Sequence, residues 1–433
     1  MSYVNSDLFA KEQTKTAIMH YDYMVLAGTQ GINNHKKLDR MIDVIRGLKV
    51  PLIFFCEGGG GRPGDVDAGD QNIAGLNIPS FHDFARLSGE VPLVGIGSGR
   101  LFAGNAALLG CCDVIIGTRD LNLGMGGPAM IEGGGLGVYK PEEVGPTSVQ
   151  YPNGVIDILV DNEDDAIVIA KKYLSYFQGN LGSWEAPEVE NLRYVIPENR
   201  LEVYDIREVI DNIADIGSVL EIKAGFAKGM FTGFIRVKGK PLGLIANNPL
   251  FLAGAIDSDG ADKASRFIKL CENYNIPILS LCDTPGMMVG PEIEETGLVR
   301  HCCRLFLAGA NVTVPMMTIV LRKAYGLGAQ AMAGGSFMAP QFVVGWPTAE
   351  IGAMGLEGAV KLGYRKELEA ESDVEKKEKL FKKLVDDLYE KGKAINAASL
   401  LEFDTVLDPI ESRDWISMVC LLYTSPSPRD LWI

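Results

Sequence analysis

The sequence predicts an α/β protein made of two tandem copies of one unit. Three observations lead there. Apolar runs of strand length are followed by glycine-rich turns and then by helix-forming segments. The two halves match in register, KKLDRMIDVIRGLKVPLIFFCEGGG from Lys36 lying over DKASRFIKLCENYNIPILSLCDTPG from Asp262. Each half also places a turn of small residues between a buried strand and a helix.

The register is close. Lys37 and Lys263, Arg40 and Arg266, Pro51 and Pro277, Glu57 and Asp283, and Gly60 and Gly286 are all 226 residues apart. Further on, Pro92 pairs with Pro315, Ile96 with Ile319, Arg100 with Lys323 and Phe102 with Tyr325, at a spacing of 223. LGMGG then lies over IGAMG, Gly124 with Gly352 and Gly127 with Gly355, at 228. Such small drifts are what changes in loop length produce.

Taken in order, Tyr21 to Gly31 reads as a core strand and its turn. HKKLDRMIDVIRGLK is an amphipathic helix with Leu38, Met41, Ile42, Ile45 and Leu48 on one face. VPLIFFC is a buried strand running into Gly58 to Gly61, where Gly59, Gly60 and Gly61 bring bare backbone near a ligand or form a surface turn. The spacing is not that of a nucleotide-binding P-loop. A helix around PSFHDFARLSG and a buried strand, VPLVGI, lead into GSGRLFAGNAALLGCCDVII, residues 97–116. There Ala103, Gly104 and Asn105 form a turn at a helix N-terminus, able to aim free N–H groups at an oxygen gaining negative charge. Gly104 and Asn105 have counterparts in Leu327 and Gly328. The loop with Gly126, Gly127 and Pro128 follows, and NEDDAIVIAKKYLSYF closes the half as a helix. The polar, proline-bearing stretch 181–200 reads as a linker between an N-terminal half, 1–180, and a C-terminal half, 201–418. That second half opens with a helix over YDIREVIDNIAD and strands around FTGFIRVKGKPLGLIANNP; 366–393 is a charged, solvated helical pair.

Composition narrows the function. A net charge of -15 and a pI near 4.9 argue against nucleic acid or an anionic membrane as partner. No apolar run approaches the roughly 18 residues of a membrane span, and no signal-peptide pattern is read. The eight cysteines include no C-x-x-C pair and read as small buried residues of a reducing cytoplasm. No metal site is expected: His35 and His82 lack partners at ligand spacing.

IANNPLFLAGAIDSDGADKASRFIKLCENYNIPILSLCDTPGMMVGPEIEETGLVRH, LRKAYGLGAQAM, WPTAEIGAMGLEGAV and DPIESR resemble the C-terminal half of the carboxyltransferase (beta) subunit of biotin-dependent acyl-CoA carboxylases. EGGGGRPGD, AGNAALLGCCD and MGGPAMIEGGGLGV are similar to the N-terminal half of one branch of that family, and the likeness covers residues 5–416. The resemblance implies two crotonase-like ββα-spiral domains. It also implies hexamers built from dimers, with active sites shared between the N half of one protomer and the C half of another. It implies, too, a substrate acyl-CoA of the acetyl, propionyl or methylcrotonyl class, carboxybiotin on a separate carrier domain, and a biotin carboxylase partner. Carboxybiotin would release CO2, the biotin anion would take the α-proton, and the enolate would attack CO2. The N–H groups of Gly104 and Asn105 would hold the thioester oxygen and those of Leu327 and Gly328 the biotin ureido oxygen. Gly59 to Gly61, Ala103, Gly126, Gly127, Pro128, Gly286, Tyr325 and Gln330 would line the substrate. Gln330 reads either as a wall of the acyl pocket or as a buried helix residue bonded to backbone. Family members often have Gly-Gly or Gly-Ala where this chain has Gly104-Asn105 and Leu327-Gly328, which puts the pocket's shape in question.

Rival readings are weaker. A crotonase-type hydratase would need carboxylates at the positions of Ala107 and Gly127. A sodium-pumping decarboxylase subunit would share the fold and run the chemistry in reverse. A non-catalytic scaffold would not need two glycine-lined turns. His301 reads as a packed residue, Glu132 as part of a surface turn, and Arg100 with Lys323 either as contacts to CoA phosphates or as flanks of the turns. Residues 419–433, with CLLYTSPSPRD, resemble a translated sequencing adapter, and family members carry a longer stretch before the position of Tyr21; both ends are expected to depart from the natural chain.

Overall fold

In the computed structural model, described for residues 1–62, 64–65 and 75–424, the chain divides into two compact units. One comprises Met1–Leu181 with Glu221–Phe226; the other comprises Gly182–Leu220 with Ala227–Ile433. The first carries β1 (Ser2–Tyr3), β2 (Lys15–His20), β3 (Leu52–Phe55), β4 (Leu93–Gly97), β5 (Arg100–Phe102), β6 (Val114–Thr118), β7 (Asn122–Gly124) and β8 (Ile158–Val160). Six of these form a sheet in the order β1-β2-β3-β4-β6-β8, parallel except at β1, while β5 and β7 pair as a separate ribbon. The remaining strands are β9 (Leu220–Glu221), β10 (Met230–Val237), β11 (Lys240–Asn247), β12 (Ile278–Thr284), β13 (Met316–Tyr325), β14 (Phe342–Gly345), β15 (Glu350–Gly352) and β16 (Thr405–Val406). They form one sheet in the order β16-β14-β13-β12-β11-β10-β9, with β15 added alongside β13.

The duplication holds at the level of strand register. Ala17 faces Leu52 as Gly243 faces Ile278, and Leu52 faces Leu93 as Ile278 faces Met316. Val94 faces Val114 as Met317 faces Phe342, and Phe102 faces Gly124 as Tyr325 faces Gly352. β13 runs unbroken where the first copy splits into β4 and β5. The apolar runs are buried on both faces, as parallel strands covered by helices require. The first core joins Leu52, Phe54 and Leu93 to Leu38, Ile42 and Ile45 of the helix Ile32–Leu48; the second joins Leu279, Leu281 and Ile319 to Val209 and Ile213.

Several expectations are corrected. Strand β2 ends at His20, and Tyr21–Gly31 is a chain of turns with Met24, Val25 and Leu26 exposed. In the helix Ile32–Leu48, Leu48 is exposed, because the buried stripe ends one turn earlier at Ile45. The stretch expected as a linker instead packs Leu192 and Ile196 into the second core. Cys303 is exposed, whereas Cys56, Cys112, Cys271, Cys282, Cys302 and Cys420 are buried thiols. The last helix, Ser412–Thr424, continues past Val419 and Cys420, which both join the second core; the rest of the expected adapter, 425–433, lies outside the described residues. Among the described residues no helix is long and apolar enough to cross a membrane.

Candidate active site

The first turn is held open by strain and by close packing. Ala103 adopts φ 52°, ψ -120° and fastens the turn by donating its N–H to the carbonyl of Gly124 (3.1 Å). An L-residue adopts this region rarely, and such geometry costs about 1–3 kcal/mol. The helix Gly104–Gly110 then begins, and the N–H groups of Gly104 and Asn105 have no acceptor among the described residues. Gly60, at φ 86°, lies against the turn: a Cβ there would stand 2.5 Å from Ala103 Cβ and 3.2 Å from Gly104 N. A Cβ on Gly104 would stand 2.1 Å from Gln30 Oε1, so a side chain there requires the Gln30 amide to move. Gln30 is held in turn by donating Nε2 to Tyr21 Oη (3.0 Å); burial pushes the Tyr21 phenol well above its usual range.

Asn105 is completely buried and does not face the turn's open side. Its Oδ1 accepts the N–H of Gly60 (3.0 Å), and its Nδ2 donates to the carbonyls of Cys56 (3.1 Å) and Gly28 (3.4 Å). The side chain that put pocket shape in question is therefore the bolt joining the glycine loop to the turn. Gly60 lies at the turn, whereas Gly59 lies against Thr29 and donates its N–H to the carbonyl of Ala27 (3.1 Å). Gly61 is not packed against the turn and pairs with Gln30. Gly127 rests on the Phe102 ring, with a Cβ position 3.2 Å from it, and caps the helix Pro128–Gly133, so Gly126, Gly127 and Pro128 border the same corner.

The second turn has the same backbone and different fastenings. Gly326, aligned with Ala103, takes φ 56°. The helix Gly326–Met332 follows, and the N–H groups of Leu327 and Gly328 again have no acceptor among the described residues. Gly286, at φ 123°, lies on Gly328, whose Cβ position is 2.6 Å from the Gly286 backbone. Beside this turn opens a cavity of about 910 Å³, walled by Leu327, Phe337, Met338, Ile351, Met354 and Leu388, with Gln330 at its edge. Tyr325 is corrected from a substrate contact: it is buried beneath the turn, and its hydroxyl donates to Glu350 Oε1 (2.6 Å). Burial raises the pKa of Glu350, and the Glu350 charge, after burial itself, raises that of Tyr325.

Two features escaped the sequence reading. Leu26-Ala27-Gly28 and Leu252-Ala253-Gly254 both run through three consecutive residues at positive φ. This left-handed corner recurs at the same 226-residue spacing as the rest of the repeat, the signal that identifies it. The other is the buried carboxylate Asp283, which accepts from Tyr204 Oη (2.8 Å), Arg322 Nε (3.1 Å) and the Lys323 N–H (3.1 Å). Its counterpart Glu57 keeps the backbone N–H of Arg100 but not its side chain, which turns away to Glu142 (2.9 Å), and burial raises the Glu57 pKa. The remaining candidates are structural. His301 Nδ1 lies 3.1 Å from Asp262 Oδ1, His35 bonds Ser80 (2.9 Å), and Glu132 is exposed. Among the described residues no three His, Cys, Asp or Glu side chains gather as metal ligands would.

Two strand-to-helix turns, each with two adjacent unclaimed N–H groups, suit two oxygens that gain negative charge in turn. The carboxyl transferase domain family matches residues 13–428. The chain belongs to that family. A carboxyltransferase of Propionibacterium freudenreichii subsp. shermanii, the methylmalonyl-CoA carboxyltransferase 12S subunit, is 32% identical over 418 residues, covering 93% of this chain and 78% of its own. A single-chain, multi-domain long-chain acyl-CoA carboxylase of known structure is 52% identical with a TM-score of 0.90; the match covers 96% of this chain and only 41% of that much longer one. The transcarboxylase 12S structure, described as a hexamer with methylmalonyl-coenzyme A bound, is 30% identical with a TM-score of 0.82, covering 94% and 80%. The carboxyltransferase fold of these structures is the duplicated α/β fold described above, and with the family match the chain is a carboxyltransferase of the acyl-CoA carboxylase type. Ala107, where a hydratase needs a carboxylate, is in keeping with this.

Proposed function

We propose that this carboxyltransferase moves a carboxyl group from carboxybiotin to the α-carbon of an acyl-CoA. The observation that carries the reading is the matched pair of turns, each presenting two backbone N–H groups with no acceptor among the described residues. The N–H groups of Gly104 and Asn105 hold the thioester oxygen as the α-proton leaves and charge moves onto it. Those of Leu327 and Gly328 hold the ureido oxygen of biotin; the unclaimed donors and the open cavity beside them fit a small planar polar ring. Carboxybiotin supplies the CO2 and, once that is released, the base that takes the α-proton. The chain contributes position and charge stabilisation, about 3–4 kcal/mol for each donor that removal would forfeit.

Gln330 forms a wall of the acyl pocket where the two halves of a site meet. The substrate range extends beyond two- and three-carbon acyl groups. The likeness to a long-chain acyl-CoA carboxylase supports the same extension. The partners are a biotin carrier, a biotin carboxylase and further copies of this chain, assembled as a hexamer with each site built from the N half of one protomer and the C half of another. Its cysteines, none of them in a disulfide among the described residues, suit the reducing cytoplasm. The test is a carboxylation assay of the protein with its biotin carrier against acyl-CoAs from acetyl to long-chain. Carboxylated product is expected; hydration of crotonyl-CoA without carboxylation would overturn the reading.

A further inference from the structure

The second turn is flanked by a charge cluster that no step of the proposed reaction uses. Asp283 ends β12 and is fully buried. Its Oδ1 accepts the backbone N–H of Lys323 (3.1 Å) and lies 3.5 Å from Lys323 Nζ, while Arg322 and Tyr204 bind its Oδ2. Lys323 Nζ reaches on to the carbonyl of Ala253 (3.0 Å), at the centre of the left-handed corner. That corner packs against the Asp283 carbonyl, which a Cβ on Gly254 would meet at 2.2 Å. The chain just beyond it bonds the glycine that faces the turn, Ile256 N–H to Gly286 O (3.0 Å). The same few atoms thus tie together the end of β12, which leads to Gly286, the end of β13, which leads to Leu327, and the corner at Ala253.

We propose that Asp283 and Lys323 are positioning residues that set the separation between Gly286 and the Leu327–Gly328 turn, and so the fit of the biotin ureido oxygen. This rests on the assignment of that turn to biotin. Neither side chain touches the reacting atoms. Their effect is geometric: the charges lock two strand ends whose continuations form opposite walls of one oxygen site. The first half adds the Asn105 amide as its tie, and there the Arg100 side chain pairs with Glu142 rather than with Glu57, which keeps only the Arg100 backbone contact of the pair.

The test compares Asp283→Asn, Lys323→Met and Lys323→Arg in the full chain with its carrier. Displacement of a catalytic group by about 1 Å costs on the order of 100-fold. A fall in kcat of that order is therefore expected for Asp283→Asn, with a raised KM for carrier-borne biotin and an unchanged KM for acyl-CoA. Lys323→Met should show a smaller fall in the same direction, and Lys323→Arg should restore it. Amide exchange should quicken at Gly286, Ile256 and Lys323, whose N–H groups are bonded within the tie, and stay unchanged at Gly60, bonded in the first half. If Asp283→Asn does not fold, Lys323→Met carries the test alone. Unchanged exchange at Gly286, Ile256 and Lys323 in the folded variants would overturn the proposal, as would a change confined to the KM for acyl-CoA. Faster exchange in a protein that carboxylates nothing would uphold the clamp and reject the assigned reaction.

Discussion

The two turns have nearly the same backbone and are built by different means. In the first, a strained alanine at φ 52° starts the helix, and a buried amide, Asn105, fastens the glycine loop. In the second, Gly326 takes φ 56° without a Cβ, Gly328 leaves room for Gly286 to lie flat on it, and the fastening is a buried charge cluster around Asp283. The residues that make the cluster have counterparts in the first copy, but there Arg100 leaves for the surface and Glu57 remains half-buried without a cation. Duplication conserved the position of the donors and let the supports diverge. What the proposed reaction requires is the direction of four N–H groups, and backbone can be aimed by more than one arrangement of side chains.

The comparison breaks most sharply at the paired carboxylates. Asp283→Asn leaves Arg322 buried without its charge partner, so a loss of about 3–5 kcal/mol is expected by denaturant unfolding. Glu57→Gln should do the opposite. Burial raises the Glu57 pKa, so the stability held by its protonated form is complete below the ordinary glutamate value and is lost as pH rises through the raised one. Replacing it with glutamine removes that loss. Its melting temperature should exceed that of the unaltered protein increasingly from about pH 4 upward. A Glu57→Gln variant less stable at neutral pH would mean that the two carboxylates are equivalent after all.

Removing one donor tests whether the turns are equal in catalysis. Leu327→Pro deletes one N–H in a helix's first turn, where proline is tolerated, and should lower kcat by about 10²–10³-fold; Leu327→Ala, which keeps the donor, should stay near the starting value. Gly104→Pro should cost as much. Because a Cβ at 104 meets Gln30 Oε1, Gly104→Ala is the control that separates crowding from the lost donor. A large loss in only one of the two proline variants would assign catalysis to one turn alone.

Asn105→Ala should lower stability by about 1–3 kcal/mol, since the Gly60 N–H and the carbonyls of Cys56 and Gly28 lose their partner. It should also raise the KM for acyl-CoA in steady-state assays without moving that for biotin. The smallest effect expected is at the turn starters. Ala103→Gly relieves the positive φ and should raise stability by up to about 1 kcal/mol, whereas Gly326→Ala creates that strain and brings a Cβ to 2.9 Å from Ala353 O, lowering it. Melting temperatures of both variants check the pair.

Much of the frame was legible in the chain. The apolar runs before Gly58, Gly97, Thr284 and Tyr325 are strands, and the matched spacing anticipated registers that repeat residue for residue. Leu38, Ile42 and Ile45 are buried as the helical period requires, because periodicity reports which face meets a core. The small-residue turns were legible too, since only small residues permit backbones to approach so closely. Tyr21–Gly31 was misread as a strand because its apolar residues are exposed in turns, and hydropathy does not distinguish the two. Tyr325, expected from the family resemblance to line the substrate, is buried with its hydroxyl bonded to Glu350, a partner 25 residues on that no local pattern names.

By itself the sequence determined the duplication, the strands and helices, and the two places where unclaimed N–H groups can face an incoming oxygen. Local chemistry suffices for these: periodicity, glycine's freedom and the missing acceptors of a helix's first turn. Only the tertiary structure decided how each turn is held. Asn105 reaches back 45 residues to Gly60, and Asp283 reaches forward 39 residues to Arg322. Which buried polar group finds which partner depends on where the folded strands end, and no local pattern encodes that.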